Sequence, residues 1–361
     1  MILCAAGDPG GSRVVLPVIN ELARRNLQCA VLNHGFLGRE LPEHLHGWLY
    51  PEEEADALLE RAALFMFGSS ATDILPLSLA RRARMCGLPI VHILDNWSTY
   101  RSRLETDGFG MLVPDIYTVM DEEAKAGAVA EGVPLSCLLV TGHPGLFDSA
   151  IKLGRLPTQN RRQAAVAIGC PPDALHLAFV HEPFRAVFGD DLLADGHPGF
   201  TEDAVLAAFT AALRPYRERV HISILPHPKE SPDVVSEIWE QVRGGVSGRI
   251  VTLTQSQDIF SAVDGVAGMA SILLYEAWLT GLPVLSLQPD CKFTSLRRFA
   301  SLDGIQYTDS RDRMPTSVAA WLIRCKETVT PVPRPELILH AASPAKIAGC
   351  VIDLLSEELR V

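Results

Sequence analysis

Asp264-Gly265-Val266-Ala267-Gly268-Met269-Ala270-Ser271-Ile272-Leu273-Leu274-Tyr275-Glu276-Ala277, continued by Trp278-Leu279-Thr280-Gly281-Leu282-Pro283-Val284, is the stretch whose reading decides the architecture. A short apolar run at 265–267 ends in small residues, a helical stretch follows, and Gly281 and Pro283 stop it ahead of a second apolar run at 284–287. Strand, tight turn, helix and strand in this order form the unit from which parallel sheets are built. The small residues at 267–271 leave room for a diphosphate at the helix N-terminus, whose unbonded N–H groups favour anions. Glu276 lies one to two turns into that helix and can accept from ribose hydroxyls. Gly268, Ser271 and Glu276 are therefore candidate nucleotide-binding residues; the plainer alternative is a helix that only follows a buried strand.

The same alternation runs outward in both directions. In the first half, apolar runs at 1–6, 29–33, 63–67, 90–94, 116–119 and 138–141 are separated by amphipathic stretches such as 14–25 and 122–131, which predicts a six-strand doubly wound domain. A charged, proline-bearing passage at 151–172 interrupts the rhythm and marks a boundary. The second half resumes with runs at 176–181, 221–225, 250–253, 265–267 and 284–287, and with a long helix over 202–219. Ile347, Val351, Leu354 and Leu355 have the spacing of a closing helix. The expected class is α/β, with two Rossmann-like doubly wound domains facing across a cleft: residues 1–155, residues 156–340, and a C-terminal helix over 341–361. Open α/β sheets bind ligands outside the carboxyl ends of their strands, so function is sought in the loops that follow strands.

Composition narrows the classes. The 361 residues carry a formal net charge of −11, with 48% hydrophobic and 21% charged residues. This excludes a disordered chain and lacks the basic footprint of a nucleic-acid binder. The longest uncharged apolar runs, 265–275 and 277–289, are separated by Glu276 and broken by Gly and Pro, so no transmembrane segment is expected. The N-terminus shows no basic leader, and a cytoplasmic location is the expectation. Eight scattered cysteines without a C-x-x-C or a Cys/His cluster predict reduced, packed thiols and no metal.

Five further loops carry candidate chemistry. Gly7-Asp8-Pro9-Gly10-Gly11-Ser12-Arg13 follows the first strand, and its glycines let backbone approach a ligand. It is not G-x-G-x-x-G, and the following residues lead to Asn33 and His34 rather than to an acidic ribose binder, which disfavours a dinucleotide site; the alternative is a tight turn with Asp8 as a solvated cap. Asp95-Asn96-Trp97-Ser98-Thr99-Tyr100-Arg101 concentrates a carboxylate, an amide, two aromatics and an arginine, as a polyol-binding or catalytic loop does; the alternative is a capping Asp or Ser with a packed Trp. Gly68-Ser69-Ser70-Ala71-Thr72-Asp73 caps a helix or contacts ligand. His181-Glu182-Pro183 and Pro226-His227-Pro228-Lys229-Glu230 follow later strands, and a histidine between two prolines suits the presentation of an imidazole to phosphate, or else marks a rigid turn.

Gly268 to Ser271, Glu276-Ala277 and Gly281-Leu282-Pro283 together resemble the donor-domain segment of glycosyltransferases of the GT-B fold, an architecture that covers nearly the whole chain. The resemblance implies that Ser271 meets the donor diphosphate and Glu276 its ribose. Leu225-Pro226-His227-Pro228 is similar to the His-Pro motif of capsule-type and sialic-acid-type transferases, which implies that His227 binds donor phosphate; Lys229 and His181 are further candidate donor-binding residues. The loops at Gly10 and Gly11 and at Asp95, Asn96, Trp97 and Arg101 resemble the acceptor side of the lipid A disaccharide synthase group. The implied reaction is a metal-independent sugar transfer with a UDP- or CMP-linked nucleotide sugar as co-substrate and no bound cofactor. Its acceptor is a glycan, a lipid-linked or a small-molecule hydroxyl, as in polysaccharide biosynthesis, and a homodimer is compatible with it. The general base is Asp95 in preference to Asp8, with its pKa raised by burial. Val284 stands where a Glu-x₇-Glu pattern of retaining enzymes needs an acid, which favours inversion. UDP-N-acetylglucosamine 2-epimerases share the fold, but Tyr275-Glu276 stands where two acids are expected. An epimerase is the second reading, and a non-catalytic nucleotide- or sugar-binding protein the third. Arg81, Arg82 and Arg84 with Leu77 and Leu79 offer a local lipid contact or, more simply, a solvated helix face.

Overall fold

The computed structural model describes residues 1–68, 73–105, 108–146, 158–251, 259, 261–293, 296, 302–328 and 330–358. The chain forms two compact units, Met1–Asp148 with Ile338–Val361, and Ser149–Leu337. In the first, β1 (Ile2–Ala5), β2 (Cys29–Leu32), β3 (Leu49–Tyr50), β4 (Leu64–Gly68), β5 (Ile90–Ile93), β6 (Ile116–Val119) and β7 (Leu138–Val140) form one sheet in the order β3-β2-β1-β4-β5-β6-β7. In the second, β8 (Leu175–Val180), β9 (Val220–Leu225), β10 (Ser247–Ile250), β11 (Gly265–Gly268), β12 (Val284–Leu287) and β13 (Ile305–Thr308) run in the order β10-β9-β8-β11-β12-β13. Every pairing is parallel. The central strands are buried and mostly apolar, with His92, His176, His221 and Ser223 buried among them, as helix cover on both faces requires.

Several elements differ from the sequence reading, each for a local reason. The first sheet has seven strands among the described residues, because the two-residue β3 is too short to leave a pattern. Of the strand expected at 250–253, Ile250 ends a strand that runs over Ser247–Ile250, and residues 252 and 253 lie outside the described residues. This strand is a half-buried edge, where Gly248 admits Ile222 O and the Trp239 ring so closely that a Cβ would come within 2.6 Å of each. The helix read as 202–219 is α-helical only over Glu202–Leu213 and continues as 3₁₀ over Arg214–Arg219, since Pro215 lacks the N–H that the α pattern needs. The first helix starts at Pro9 rather than 14, with proline at its first position, where no N–H is required.

The C-terminal helix, Ser343–Glu358, packs Ile347, Ala348 and Val351 against Val14, Val15, Val18 and Ile19 of helix Pro9–Arg24, within the first unit. Six of the eight cysteines are buried. Among the described residues no helix is long and apolar enough to cross a membrane. The helix face considered for lipid contact is engaged internally: Leu77 and Leu79 are buried. Arg81 donates to Leu104 O and Gly110 O, Arg84 to Val113 O and Asp115, and Arg82 pairs with Asp56.

Candidate functional site

In each sheet the winding direction reverses beside the first strand, between β1 and β4 in one unit and between β8 and β11 in the other. Loops leaving two such neighbouring strands diverge, which opens a crevice at their carboxyl ends. The candidate loops end these strands or their neighbours: 7–11 after β1, Asp73 after β4, Asp95 after β5, His181 after β8, His227 after β9, and 269–271 after β11. Ser69, Ser70, Ala71 and Thr72 lie outside the described residues.

In the first unit, glycines bring backbone and carboxylates together. A Cβ on Gly10 would fall 2.0 Å from Asp95 Oδ2, and one on Gly7 would fall 1.9 Å from Asp73 Oδ2. Gly68, at the end of β4, meets the Gly11 backbone, 2.5 Å from a Cβ position to Gly11 O. Asp8 stands at the N-cap position, where its side chain makes no capping bond and its carbonyl accepts from Ser12 N–H. Asp95 is largely buried and paired with the buried Arg103. Burial pushes its carboxyl group up, more than Arg103 pulls it down, and the charge of Asp8 adds to the rise.

Arg103 fixes the loop by donating from Nε to Ser98 O and Thr99 Oγ1, while Thr99 takes a positive φ of 57°. A β-branched residue in that region is strained, and strain of this kind is held where surrounding contacts impose it. The guanidinium at Asp95 is thus that of Arg103. Arg101 is half-exposed and pairs with Glu105. Asn96 is exposed and accepts the Trp97 N–H through its own Oδ1. Trp97 is buried; its indole N–H donates to Asp121 Oδ2 at 2.7 Å, and its ring stacks on His143. Asp121 in turn caps helix Glu122–Ala130, so the tryptophan ties the site loop to the scaffold. The Gly145 N–H donates to His143 Nδ1, leaving the Nε2 proton for the Asp95 carbonyl at 3.2 Å. Burial pushes His143 well below the usual histidine range, with Arg13 and His340 adding to the fall, in keeping with this neutral tautomer.

His34 links two carboxylates, with Nδ1 2.9 Å from Glu52 and Nε2 2.8 Å from Asp73, whose other oxygen accepts from Leu75 N–H. Burial disfavours the charge on His34, but the hydrogen bonds and charges of Asp73 and Glu52 outweigh it and raise the pKa. The folded value therefore exceeds the unfolded one, about 6.5. The bridge's contribution is complete below that value and lost as pH rises through the folded pKa. The stability difference between the wild type and His34→Gln, measured by urea unfolding from pH 5.5 upward, is expected to be largest below about pH 6.5 and to shrink above it. A difference that grows with pH would show that the imidazole is not charged in the fold.

In the second unit, Gly268 ends β11 with its Cβ position 3.0 Å from Val180 O, and Ser271 caps helix Ile272–Leu279 by accepting from Leu273 N–H. The amides ahead of this helix already hold an anionic group. Glu182 accepts from Ala270 N–H at 2.9 Å and is also held by the amides of Met269 and Ser271. Burial nevertheless pushes its carboxyl group up to about 7, against the pull of those N–H groups and of His181. His181 is fully buried; Nδ1 lies 2.7 Å from Glu230, and Nε2 has no hydrogen-bond partner. Glu230 also accepts the His227 N–H at 2.7 Å, tying the loop after β9 to the loop after β8. The ring of His227, partly buried, accepts from Lys229 N–H, and the Lys229 side chain is exposed. Glu276 is buried at 2% exposure.

The sequence reading missed Arg103, His143, the His34–Asp73 contact and the placement of Glu182. Glu182 left a signal, as the neighbour of His181 in a post-strand loop, and so did Asp73, at the end of the loop read at 68–73. No family model matches the chain, and no curated protein matches it. Solved structures do. The UDP-GlcNAc 2-epimerase from Neisseria meningitidis, bound to UDP-GlcNAc, is 13% identical with a TM-score of 0.66 over 98% of this chain and 99% of that one. Anabaena HepE in complex with UDP-glucose is 15% identical with a TM-score of 0.56, covering 99% of each chain. A glycosyltransferase from Rickettsia africae is 11% identical with a TM-score of 0.61 over 99% and 96%. The chain has the GT-B fold. In this GT-B chain both polar clusters sit at the carboxyl ends of strands beside the winding reversal of their own sheet.

Proposed function

We propose that the protein is a glycosyltransferase that binds a nucleoside diphosphate sugar on its second unit and transfers the sugar to a hydroxyl activated by its first. The observation that carries this reading is the turn at 269–271, whose amides hold a carboxylate at a helix N-terminus. A group of N–H donors that binds one anionic oxygen in this way suits a diphosphate oxygen equally well. Departure of a nucleoside diphosphate builds negative charge on phosphate, and those amides with His227 and Lys229 stabilise it. Glu276 accepts from the ribose, and Asp95 takes the proton of the attacking hydroxyl, with Asp8 the alternative base. The transfer inverts the anomeric centre, since one base and one direct displacement suffice. Neighbours of the same fold include UDP-sugar epimerases, and that second reading differs in needing no acceptor.

The test is a thermal-shift panel of UDP, CMP, CDP, GDP and dTDP, followed by product analysis. A nucleotide at a hundred times its dissociation constant stabilises the protein by about 2.7 kcal/mol, a shift of several degrees. The expected result is a shift with one nucleotide class that Glu276→Ala removes, and consumption of the matching nucleotide sugar only when an acceptor is present. Conversion of the nucleotide sugar incubated alone establishes the epimerase instead, and binding without turnover on any acceptor leaves a binding protein.

A further inference from the structure

The carboxylate that fills the amides at 269–271 belongs to the protein itself, and its position bears on how a ligand enters. Glu182 Oε2 takes the Ala270 N–H at 2.9 Å, and the amides of Met269 and Ser271 bind the same group. The neighbouring residue, His181, is fully buried, is fixed through Nδ1 to Glu230, and leaves Nε2 without a hydrogen-bond partner. A carboxylate and a phosphate oxygen are acceptors of the same kind, and one set of N–H groups cannot serve both. A charged Glu182 left beside a diphosphate would be buried against like charge with its donors removed.

We propose that Glu182 is a gate on the donor-phosphate subsite: in its charged form it occupies the amides at 269–271, and a sugar nucleotide binds the form in which Glu182 carries a proton. This rests on the reading of that turn as the diphosphate site. In the complex the neutral carboxyl group is a donor toward a phosphate oxygen, so above the pKa of Glu182 each binding event takes one proton from solvent. With that group at about 7, the gate works across the neutral range. The charged and titratable groups around it are His181 on its own loop and, behind that loop, Arg185, which pairs with Asp203 and donates its backbone N–H to Glu202. Glu230, His227 and Lys229 lie on the loop after β9, while the 269–271 turn contributes backbone N–H groups only.

The experiment is calorimetric titration of the full chain with UDP-glucose and with UDP-N-acetylglucosamine from pH 6.5 to 9, in the wild type, Glu182→Gln and Glu182→Ala. Both probes have fully esterified diphosphates, so neither carries the terminal phosphate group that titrates near pH 6. The wild-type Kd is expected to rise about tenfold per pH unit once pH exceeds the pKa of Glu182. Both variants should give flat profiles and bind at least about tenfold more tightly than wild type at pH 8.5. Glu182→Gln keeps the shape and an acceptor for Ala270 N–H, so it decides the matter if Glu182→Ala fails to fold. Measurable affinity with a flat wild-type profile, or a slope that persists in Glu182→Gln, overturns the gate alone. Absence of binding in all three proteins at every pH overturns the donor-site reading, and the gate falls with it.

Discussion

Asp95→Asn is expected to lower turnover by about 10²–10⁴-fold while leaving the stabilisation by nucleotide unchanged. The carboxylate lies at the end of β5 against the Gly10 backbone, with Arg103 on one oxygen and burial around it. These surroundings act in opposite senses: desolvation raises the pKa, which makes Asp95 a better proton acceptor than an exposed carboxylate, and Arg103 works against that rise without cancelling it. Asparagine keeps the shape and an oxygen toward Arg103 but cannot take a proton. The nucleotide is assigned to the other unit, so its thermal shift serves as an internal control for folding. The wild-type rate should rise with pH through a pKa above the ordinary carboxylate range, because the base must be ionised to work, and this acid limb should vanish in the variant. Full turnover in Asp95→Asn removes the residue from the mechanism and leaves Asp8 as the candidate base.

The fold was legible because the central strands are buried on both faces and so appear as mostly apolar runs, as at Ile2–Ala5 and Leu64–Gly68. The edges were not. Leu49–Tyr50 is too short for any period, and Ser247–Ile250 holds Gly248 and Arg249 in a half-buried position that no β propensity marks. At the site, the sequence locates loops but not partners. Asp95 was found because it follows a strand, whereas the arginine that pairs with it lies beyond the loop read at 95–101. The bend at Thr99 presents Arg103, and a positive φ on threonine leaves no trace in the residue type. Trp97 was read as ligand-facing from its chemistry; its N–H is engaged by Asp121, a residue reached only across the gap between β5 and the start of helix Glu122–Ala130. Glu182 escaped for a related reason. The anion expected at 269–271 was a ligand's, and nothing local shows that a side chain 88 positions away in sequence fills the same N–H groups.

Trp321→Ala is expected to destabilise the second unit by about 3–5 kcal/mol. Trp321 is fully buried on helix Met314–Glu327, with its ring against Phe209 and against the start of β11, where a Cβ on Gly265 would fall 2.8 Å from Cζ2. Its indole N–H donates to Pro283 O, the carbonyl that also accepts from Val266 N–H of β11. Removing the ring therefore opens a large cavity at the root of the strand pair that delivers the 269–271 turn, and takes away one of two donors on the carbonyl joining β11 to β12. Trp321→Phe refills most of the volume and loses only the hydrogen bond, at a cost of about 0.5–1.5 kcal/mol. For a unit of this size the alanine variant should melt roughly 6–20 °C lower. Because the first unit has its own apolar clusters, a second, unshifted transition should remain. If both transitions fall together, the two units unfold as one and the loss belongs to the whole chain. If neither moves, Trp321 is not part of the core that supports β11.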